Sequence, residues 1–350
     1  MGILIVLYRY LLKPFFFLLP AEKAHYLVFK LIKIAFKIPG VSLLSGKLNQ
    51  DQSDLSRTVA GLTFPNPVGL AAGLDKNAHI VDELSMMGFG FIEIGTVTPL
   101  PQPGNPTPRL FRLPADEALI NRMGFNNEGL VAMVKRLRQR KSKTVIGGNI
   151  GKNKITPNEN AVEDYVKCFQ TLYDLVDYFV INVSSPNTPG LRELQEKEPL
   201  KRILAAVMAE NKQKEQQKPV FLKIAPDLTT SQIDDILEIV EETECAGVVA
   251  TNTTISRENL TSTSTEVEAI GAGGVSGKPL RDKSTEIIRY IHKKSKGKIP
   301  VIGVGGIMNA DDAIEKIKAG ASIVQLYTGF IYQGPELVKA IKRQFLKQSL

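Results

Sequence analysis

The sequence predicts a (β/α)8 TIM barrel preceded by an N-terminal amphipathic helical hairpin. Three observations predict it. Eight short β-rich runs recur after residue 60, helical patterns fill the gaps between them, and the first forty residues differ in composition from the rest. The 350 residues suit one barrel of about 250 residues with an appendage as well as two domains of about 150. The expected plan is a helical extension over 1–40, a polar linker over 41–60 and the barrel over 61–350.

In residues 1–40, 27 are hydrophobic, and six bases face one acid, a net charge of +5. The other 310 residues hold 38 bases and 35 acids, too even a balance for a nucleic-acid surface. The longest charge-free runs, Met1–Tyr8 and Pro14–Ala21, are eight residues each. Eight helical residues rise about 12 Å against a bilayer core of about 30 Å, so neither run spans one. A signal peptide would put its charges first and end in an A-x-A-like site, which this stretch does not do. Two short amphipathic helices fit better. Ala24, Leu27, Val28, Leu31 and Ala35 share one helical face, Lys23, Lys30, Lys33 and Lys37 sit largely off it, and Pro39-Gly40 ends the pattern. Such a helix lies in a bilayer interface, where each cation adds about 1 kcal/mol, or packs as a hairpin on its own domain. Peripheral membrane association is the expected arrangement.

Segment 41–60 is polar and reads as loop. The barrel strands come after it as Pro67–Ala71, Phe91–Gly95, Val145–Ile150, Tyr178–Val183, Pro219–Ile224, Gly247–Ala250, Pro300–Val304 and Ser322–Tyr327. Near-continuous apolar runs mark parallel strands buried on both faces. Helices are expected at Thr230–Glu242, with Ile233, Ile236, Leu237 and Val240 on one face, and at Asp311–Ala319, with an Asp cap and Gly320 as terminator. The gap between strands two and three, about 50 residues, opens with a Pro- and Gly-rich half that cannot be helical. Long loops in compact domains are usually functional, and this one leaves the end of the barrel where active sites sit.

Two cysteines (Cys168, Cys245) and three scattered histidines exclude a cysteine- or histidine-built zinc or iron–sulfur site, and no metal is expected. The segments just after the strands are rich in amides and hydroxyls. Gly277, Gly305 and Gly306 let backbone N–H groups approach an anion, a phosphate site after strands seven and eight. Asn121, Asn126, Asn149, Asn182, Asn187 and Asn252 offer donors and acceptors to a flat polar heterocycle. Lys76 and Lys223 are the obvious cations. Lys223 lies in an apolar strand and needs an anionic partner, either a ligand that gains charge or a barrel carboxylate such as Glu93. On these residues alone, a barrel acting on a phosphorylated sugar or nucleotide without a flavin is an open alternative, as is a ligand-binding module.

LAAGLDKN, GFIEIGTVTP, NRMGFNN, NIGKNK, NVSSPNTPGLR, LKIAPDL, ATNTT, GGVSGKPL, GVGGI and QLYTGF, in this order across residues 60–335, resemble the dihydroorotate dehydrogenase family. Ser185, where the soluble branch has Cys, and the apolar N-terminal hairpin resemble its membrane-associated, quinone-dependent class 2 branch. The resemblance implies one FMN per chain, dihydroorotate oxidised to orotate, a membrane quinone as acceptor, and no iron–sulfur partner subunit. FMN contacts carried over are Ala72, Gly73, Lys76, Thr96, Asn149, Asn182, Lys223, Thr251, Gly277, Gly305, Gly306, Tyr327 and Thr328. Substrate contacts are Lys76, Asn121, Arg122, Met123, Gly124, Phe125, Asn182, Asn187, Asn252 and Thr253. The quinone would enter near His25, Arg109 and Tyr327. The resemblance makes Ser185 the general base, with Thr188 or a water taking its proton onward and Lys223 facing the reduced flavin. It also implies a place in pyrimidine synthesis. The sequence shows no transit peptide, so the expected location is the cytoplasmic face of the cell membrane.

Overall fold

The structure, a computed structural model, describes residues 7–41, 45 and 54–348. A helical segment Leu7–Leu12 runs into α1 (Lys13–Leu18), and after Pro20 the chain returns as α2 (Ala21–Lys37). The two limbs form the expected hairpin.

Strand β1 (Arg57–Val59) falls within the segment expected to be a polar linker. It pairs antiparallel with β2 (Leu62–Phe64) across a tight turn in which Ala60 and Gly61 both have positive φ. Val59 and Phe64 close the N-terminal floor of the barrel against Phe91, Tyr178 and Phe221. The Phe64 ring meets Phe91 edge-on at 5.0 Å.

All eight expected runs become barrel strands. The first two are β3 (Val68–Leu70) and β4 (Phe91–Val97). The long loop after β4 then folds into a hairpin of β5 (Leu110–Leu113) and β6 (Ala118–Asn121). The barrel resumes with β7 (Val145–Ile150), β8 (Tyr178–Asn182), β9 (Val220–Ile224) and β10 (Gly247–Ala250). In the loop after β10, β11 (Gly274–Gly277) adds to the edge of the β5–β6 hairpin. Strands β12 (Val301–Val304) and β13 (Ile323–Leu326) complete the barrel. Its eight strands are parallel, and β13 pairs with β3 to close the ring. The antiparallel sheet of β5, β6 and β11 lies outside that ring.

The main helices around the barrel are α3 (Val81–Ser85), α4 (Gly129–Gln139), α5 (Ala161–Leu172), α6 (Lys197–Lys212), α7 (Thr230–Glu242), α8 (Ser264–Ile270), α9 (Arg281–Lys294), α10 (Ala310–Lys318), α11 (Thr328–Gln333) and α12 (Glu336–Gln348). Helix α7 has the expected bounds and a capping box from Thr229 and Gln232. The cap of α10 is Asn309 rather than an aspartate. Its side chain accepts the Asp312 N–H, and Asp312 reaches back to the Asn309 N–H.

Outward residues such as Ile92, Ile146, Phe179, Leu222, Val248 and Val324 pack under the helices. Inward residues keep the two-residue period of a strand, and their chemistry changes along the barrel axis. Phe91 is followed by Glu93, Tyr178 and Val180 by Asn182, Phe221 by Lys223, Val249 by Thr251, and Ile323 by Gln325. The interior therefore runs from an apolar floor to a polar C-terminal end, and that end carries the site.

Candidate active site

The polar end of the barrel opens into a cleft of about 1000 Å3, its mouth included. Glu93, fully buried, organises the floor. Its Oε1 accepts from Asn149 Nδ2 at 2.8 Å and its Oε2 from Gln325 Nε2 at 2.6 Å. Lys223 Nζ lies 3.7 Å from Glu93 Oε1, so the barrel carboxylate is the lysine's partner. A buried charge on each side makes this pair costly to break. Above it, Thr96 Oγ1 donates to Asn149 Oδ1 at 2.5 Å, and Asn182 Nδ2 donates to Thr96 Oγ1 at 2.8 Å.

One wall comes from the loops after β8 and β10. Ser185 faces the cleft, and its Oγ accepts the Asn187 N–H at 3.3 Å. Asn187 Nδ2 donates to Asn121 Oδ1 at 2.8 Å, which ties this loop to β6. Asn252 Nδ2 donates to Ser184 Oγ at 3.0 Å. On the opposite wall, Lys76 Nζ donates to Asn126 Oδ1 at 2.5 Å. Desolvation, reinforced by the Arg109 guanidinium, pulls the Lys76 pKa down to about 7, with Glu22 opposing the shift.

The glycine turns form the far end. Gly277 and Gly306 have φ of +99° and +72°, which disfavour any side chain. A Cβ on Gly277 would meet the Glu117 carbonyl oxygen at 2.3 Å, and one on Gly306 would meet Arg281 Cα at 2.3 Å. The backbone here is pressed against β6 and the start of α9. Thr328 Oγ1, at the start of α11, donates to Ser276 Oγ at 2.8 Å.

The structure brings most of the singled-out residues together. Ala72, Gly73, Lys76, Thr96, Asn121, Met123, Gly124, Phe125, Asn182, Ser185, Asn187, Lys223, Thr251, Asn252, Thr253, Gly277, Gly305, Gly306, Tyr327 and Thr328 all line the cleft. Asn149 sits one layer beneath, fully buried. Three residues lie elsewhere. Asn126 lines a small neighbouring pocket, where it accepts from Lys76. Thr188 is buried behind the wall, and Arg122 turns away to the Pro108 and Ile270 carbonyls, its guanidinium 4.8 Å over the Phe111 ring. Gln325 and Ser276 line the cleft without having been singled out. The two-residue step from Ile323 was the available signal for Gln325.

A second cavity, about 1410 Å3 with its mouth included, lies between the N-terminal hairpin and the barrel. Phe16, Phe17, Ala24, Val28, Phe29 and Ile32 form one side, and Leu74, Ile80, Leu84, Leu119 and Ile331 the other. His25 and Tyr327 are among its few polar residues. Burial, with Lys76 nearby, lowers the His25 pKa to about 4, so the ring is neutral at pH 7. Arg109 does not line this cavity. It grips Glu22 of α2, through Nε at 3.1 Å and Nη2 at 2.8 Å, and the Asn105 carbonyl at 2.9 Å. Arg112 takes the cavity position instead. It donates to the Phe16 and Leu19 carbonyls at 3.3 and 2.7 Å, where the dipole of α1 favours a cation. Tyr327 lines both cavities.

Residues 54–349 match the family model for dihydroorotate dehydrogenase. This chain belongs to the dihydroorotate dehydrogenase family. A Christiangramia forsetii protein named dihydroorotate dehydrogenase (quinone) is 58% identical over 345 residues, covering 98% of this chain and 100% of that one. One of the same name from Chromobacterium violaceum is 51% identical over 332 residues, 94% of each chain. The crystal structure of Eimeria tenella dihydroorotate dehydrogenase in complex with ferulenol superposes with a TM-score of 0.85 at 40% identity, covering 94% of this chain and 92% of that one. That alignment to the Christiangramia protein leaves out only about 2% of this chain, so it takes in most of the helical hairpin as well as the barrel.

Proposed function

We propose that this chain oxidises dihydroorotate to orotate in pyrimidine synthesis, with FMN in the polar cleft and a quinone in the apolar cavity as final electron acceptor. The observation that carries the reading is the pairing of the two cavities. A polar, amide-lined cleft and a large apolar cavity share the Tyr327 wall. One suits a charged heterocycle and the other an isoprenoid-linked ring.

The cleft residues fit FMN. Thr251 Oγ1 and Gln325 Oε1 are buried in its wall without a partner in the protein, so they offer hydrogen bonds to a ring. The Gly277 and Gly305-Gly306 turns line the cleft, where glycine backbone lets a phosphate approach closely. FMN bound there would supply the acceptor for the substrate C6 hydride and the redox link to the quinone.

The chain's own residues do the rest. Lys76 sets a cation where the substrate carboxylate would lie. Asn121, Asn187 and Asn252, each held by a neighbour, fix the ring in plane. Ser185 Oγ takes the C5 proton. A serine is a weak base in water, so its own proton must leave through a water or the Thr188 hydroxyl while the loop excludes solvent. The Thr188 Oγ1 is buried without a partner, which is consistent with that part. Lys223, held by Glu93, places positive charge at the cleft floor.

The chain is placed in this reading at the cytoplasmic face of a membrane, and the hairpin's outer side supports the peripheral binding. Tyr10, Leu11, Phe15, Leu18, Tyr26, Ile34 and Ile38 are each at least half exposed. Among the described residues no helix is long and apolar enough to cross a membrane.

The deciding experiment is anaerobic stopped-flow of the flavin-loaded enzyme. Dihydroorotate should bleach the flavin absorbance, and a short-chain quinone should restore it quickly. A protein that purifies without flavin, or one bleached but restored only by fumarate, would overturn the reading.

A further inference from the structure

Three neighbouring strands, β8, β9 and β10, end in loops that build one side of the cleft. The first loop carries Ser185 and Asn187, the third Asn252 and Thr253. A single guanidinium bridges all three. Arg192 Nε donates to the Ser184 carbonyl at 3.2 Å, Nη2 to the Thr253 carbonyl at 3.2 Å, and Nη1 to Asp227 Oδ2 at 2.9 Å. Asp227 extends the bridge. Its Oδ2 also accepts the Ile255 N–H at 3.1 Å, and its Oδ1 accepts the Thr254 hydroxyl. From the same turn as Arg192, Gln195 Oε1 accepts the Ala225 N–H at 3.1 Å.

The contacts fall next to the residues that face the cleft. Ser184 precedes Ser185, and Thr253 follows Asn252. Neither Arg192 nor Asp227 lines the cleft itself. Their side chains are 24% and 20% exposed, so solvent partly screens their Coulomb attraction. The fork geometry of a guanidinium instead fixes the relative position of the groups it joins. On the inner side, Ser184 Oγ lies 3.2 Å from Asn182 Oδ1 and accepts from Asn252 Nδ2 at 3.0 Å. The two loops are thus tied at the cleft by amides and outside it by the ion pair.

We propose that Arg192 and Asp227 form a positioning clamp that sets the loop bearing Ser185 in register with the loop bearing Asn252. The clamp rests on the reading of Ser185 as the base. It touches neither substrate nor cofactor. Its effect is on the approach of Ser185 Oγ to the carbon that loses its proton, a distance on which proton transfer depends steeply. A misplacement of about 1 Å costs about 10² in rate.

The test compares R192K, D227N, the double variant and S185A as flavin-loaded enzymes. Lysine keeps the charge but gathers its donors on one nitrogen, so it cannot span the three acceptors that Nε, Nη1 and Nη2 of the guanidinium reach separately. Asparagine keeps the size but weakens the pairing. The expected result for R192K and D227N is flavin reduction by dihydroorotate slowed about 10- to 100-fold, within the range set by misplacement. Orotate affinity, read by titration, should change far less than the reduction rate. Flavin content, melting temperature and reoxidation by quinone should match the parent. The double variant should be no slower than the slower single one, since either change opens the same clamp. Unchanged reduction in R192K would overturn the clamp. So would a parallel loss of flavin content, melting temperature and reoxidation, because that pattern marks a general structural role. S185A separates the two readings. If S185A reduces normally while R192K is slow, Ser185 is not the base and the clamp positions another group. If S185A is slow and R192K normal, the clamp alone fails.

Discussion

Lys76 and Ser185 stand on opposite walls of the cleft, and each makes a prediction at the scale of one proton. Desolvation holds the free Lys76 pKa near 7, well below that of a lysine in water. A bound carboxylate favours the charged form and raises that value. At pH 8 the free lysine is therefore mostly neutral and the liganded one charged, so orotate binding should take up about one proton. At pH 6 the lysine is already charged and uptake should vanish. Affinity for orotate should fall as pH rises above 7. Calorimetry in buffers of different ionisation enthalpy reads the uptake directly, and Lys76→Met should abolish it. His25, with a pKa near 4, stays neutral across this range and adds nothing. Ser185→Ala should slow flavin reduction by about 10² to 10⁴, the usual cost of losing a general base. An unchanged reductive half-reaction in single-turnover traces would remove Ser185 from that role.

At the scale of elements, the glycine turn after β12 shows how close packing shapes the site. A methyl on Gly306 would lie 2.3 Å from Arg281 Cα, at a φ of +72°. Overpacking of that kind costs about 1–3 kcal/mol, and a left-handed backbone at a non-glycine residue about 1–2 kcal/mol more. Gly306→Ala should therefore loosen the start of α9 and weaken FMN retention by tenfold or more, measured by flavin fluorescence on dilution. The sequence shows this turn because GVGG comes directly after an apolar run, and it shows the eight strands because burial on both faces makes each run apolar. Other elements hide. Strands β6 and β11 pair across about 150 residues, and the Asn121 amide reaches the Gly274 carbonyl 153 positions away. No local pattern announces such a pairing. The exchange of Arg109 for Arg112 has the same origin. The two lie three positions apart on an extended segment, so they point to opposite faces. Only the residue in phase with Leu110, which is Arg112, reaches the apolar cavity. The floor strand β1 hides for a third reason: Arg-Thr-Val is too short to stand out from a polar stretch.

Across the whole molecule, the interior polarity gradient and the hairpin together impose a direction. The floor is sealed by Phe64 and its aromatic neighbours, so access is confined to the other end of the barrel. There the hairpin is held by the Arg109–Glu22 pair, by Arg112 on the carbonyls of α1, and by Tyr8 Oη donating to the Ile331 carbonyl at 2.6 Å. Its inner side walls the apolar cavity while its outer side presents apolar residues to solvent. If that outer side rests on a lipid surface, single substitutions on it should act on partitioning without disturbing the cleft. Leu18 is 84% exposed and makes the cleanest probe. Burial of a leucine side chain is worth about 1.5–3 kcal/mol, so Leu18→Glu should weaken binding to anionic vesicles about tenfold or more. Bleaching by dihydroorotate and turnover with a short-chain, water-soluble quinone should stay at parent values. Turnover with a long-chain quinone in the same vesicles should fall with the bound fraction. Raising the salt concentration should weaken vesicle binding further, since Lys23, Lys30 and Lys37 lie exposed beside this face. Equal vesicle binding of Leu18→Glu and parent would mean that the hairpin faces water and serves only to wall the cavity.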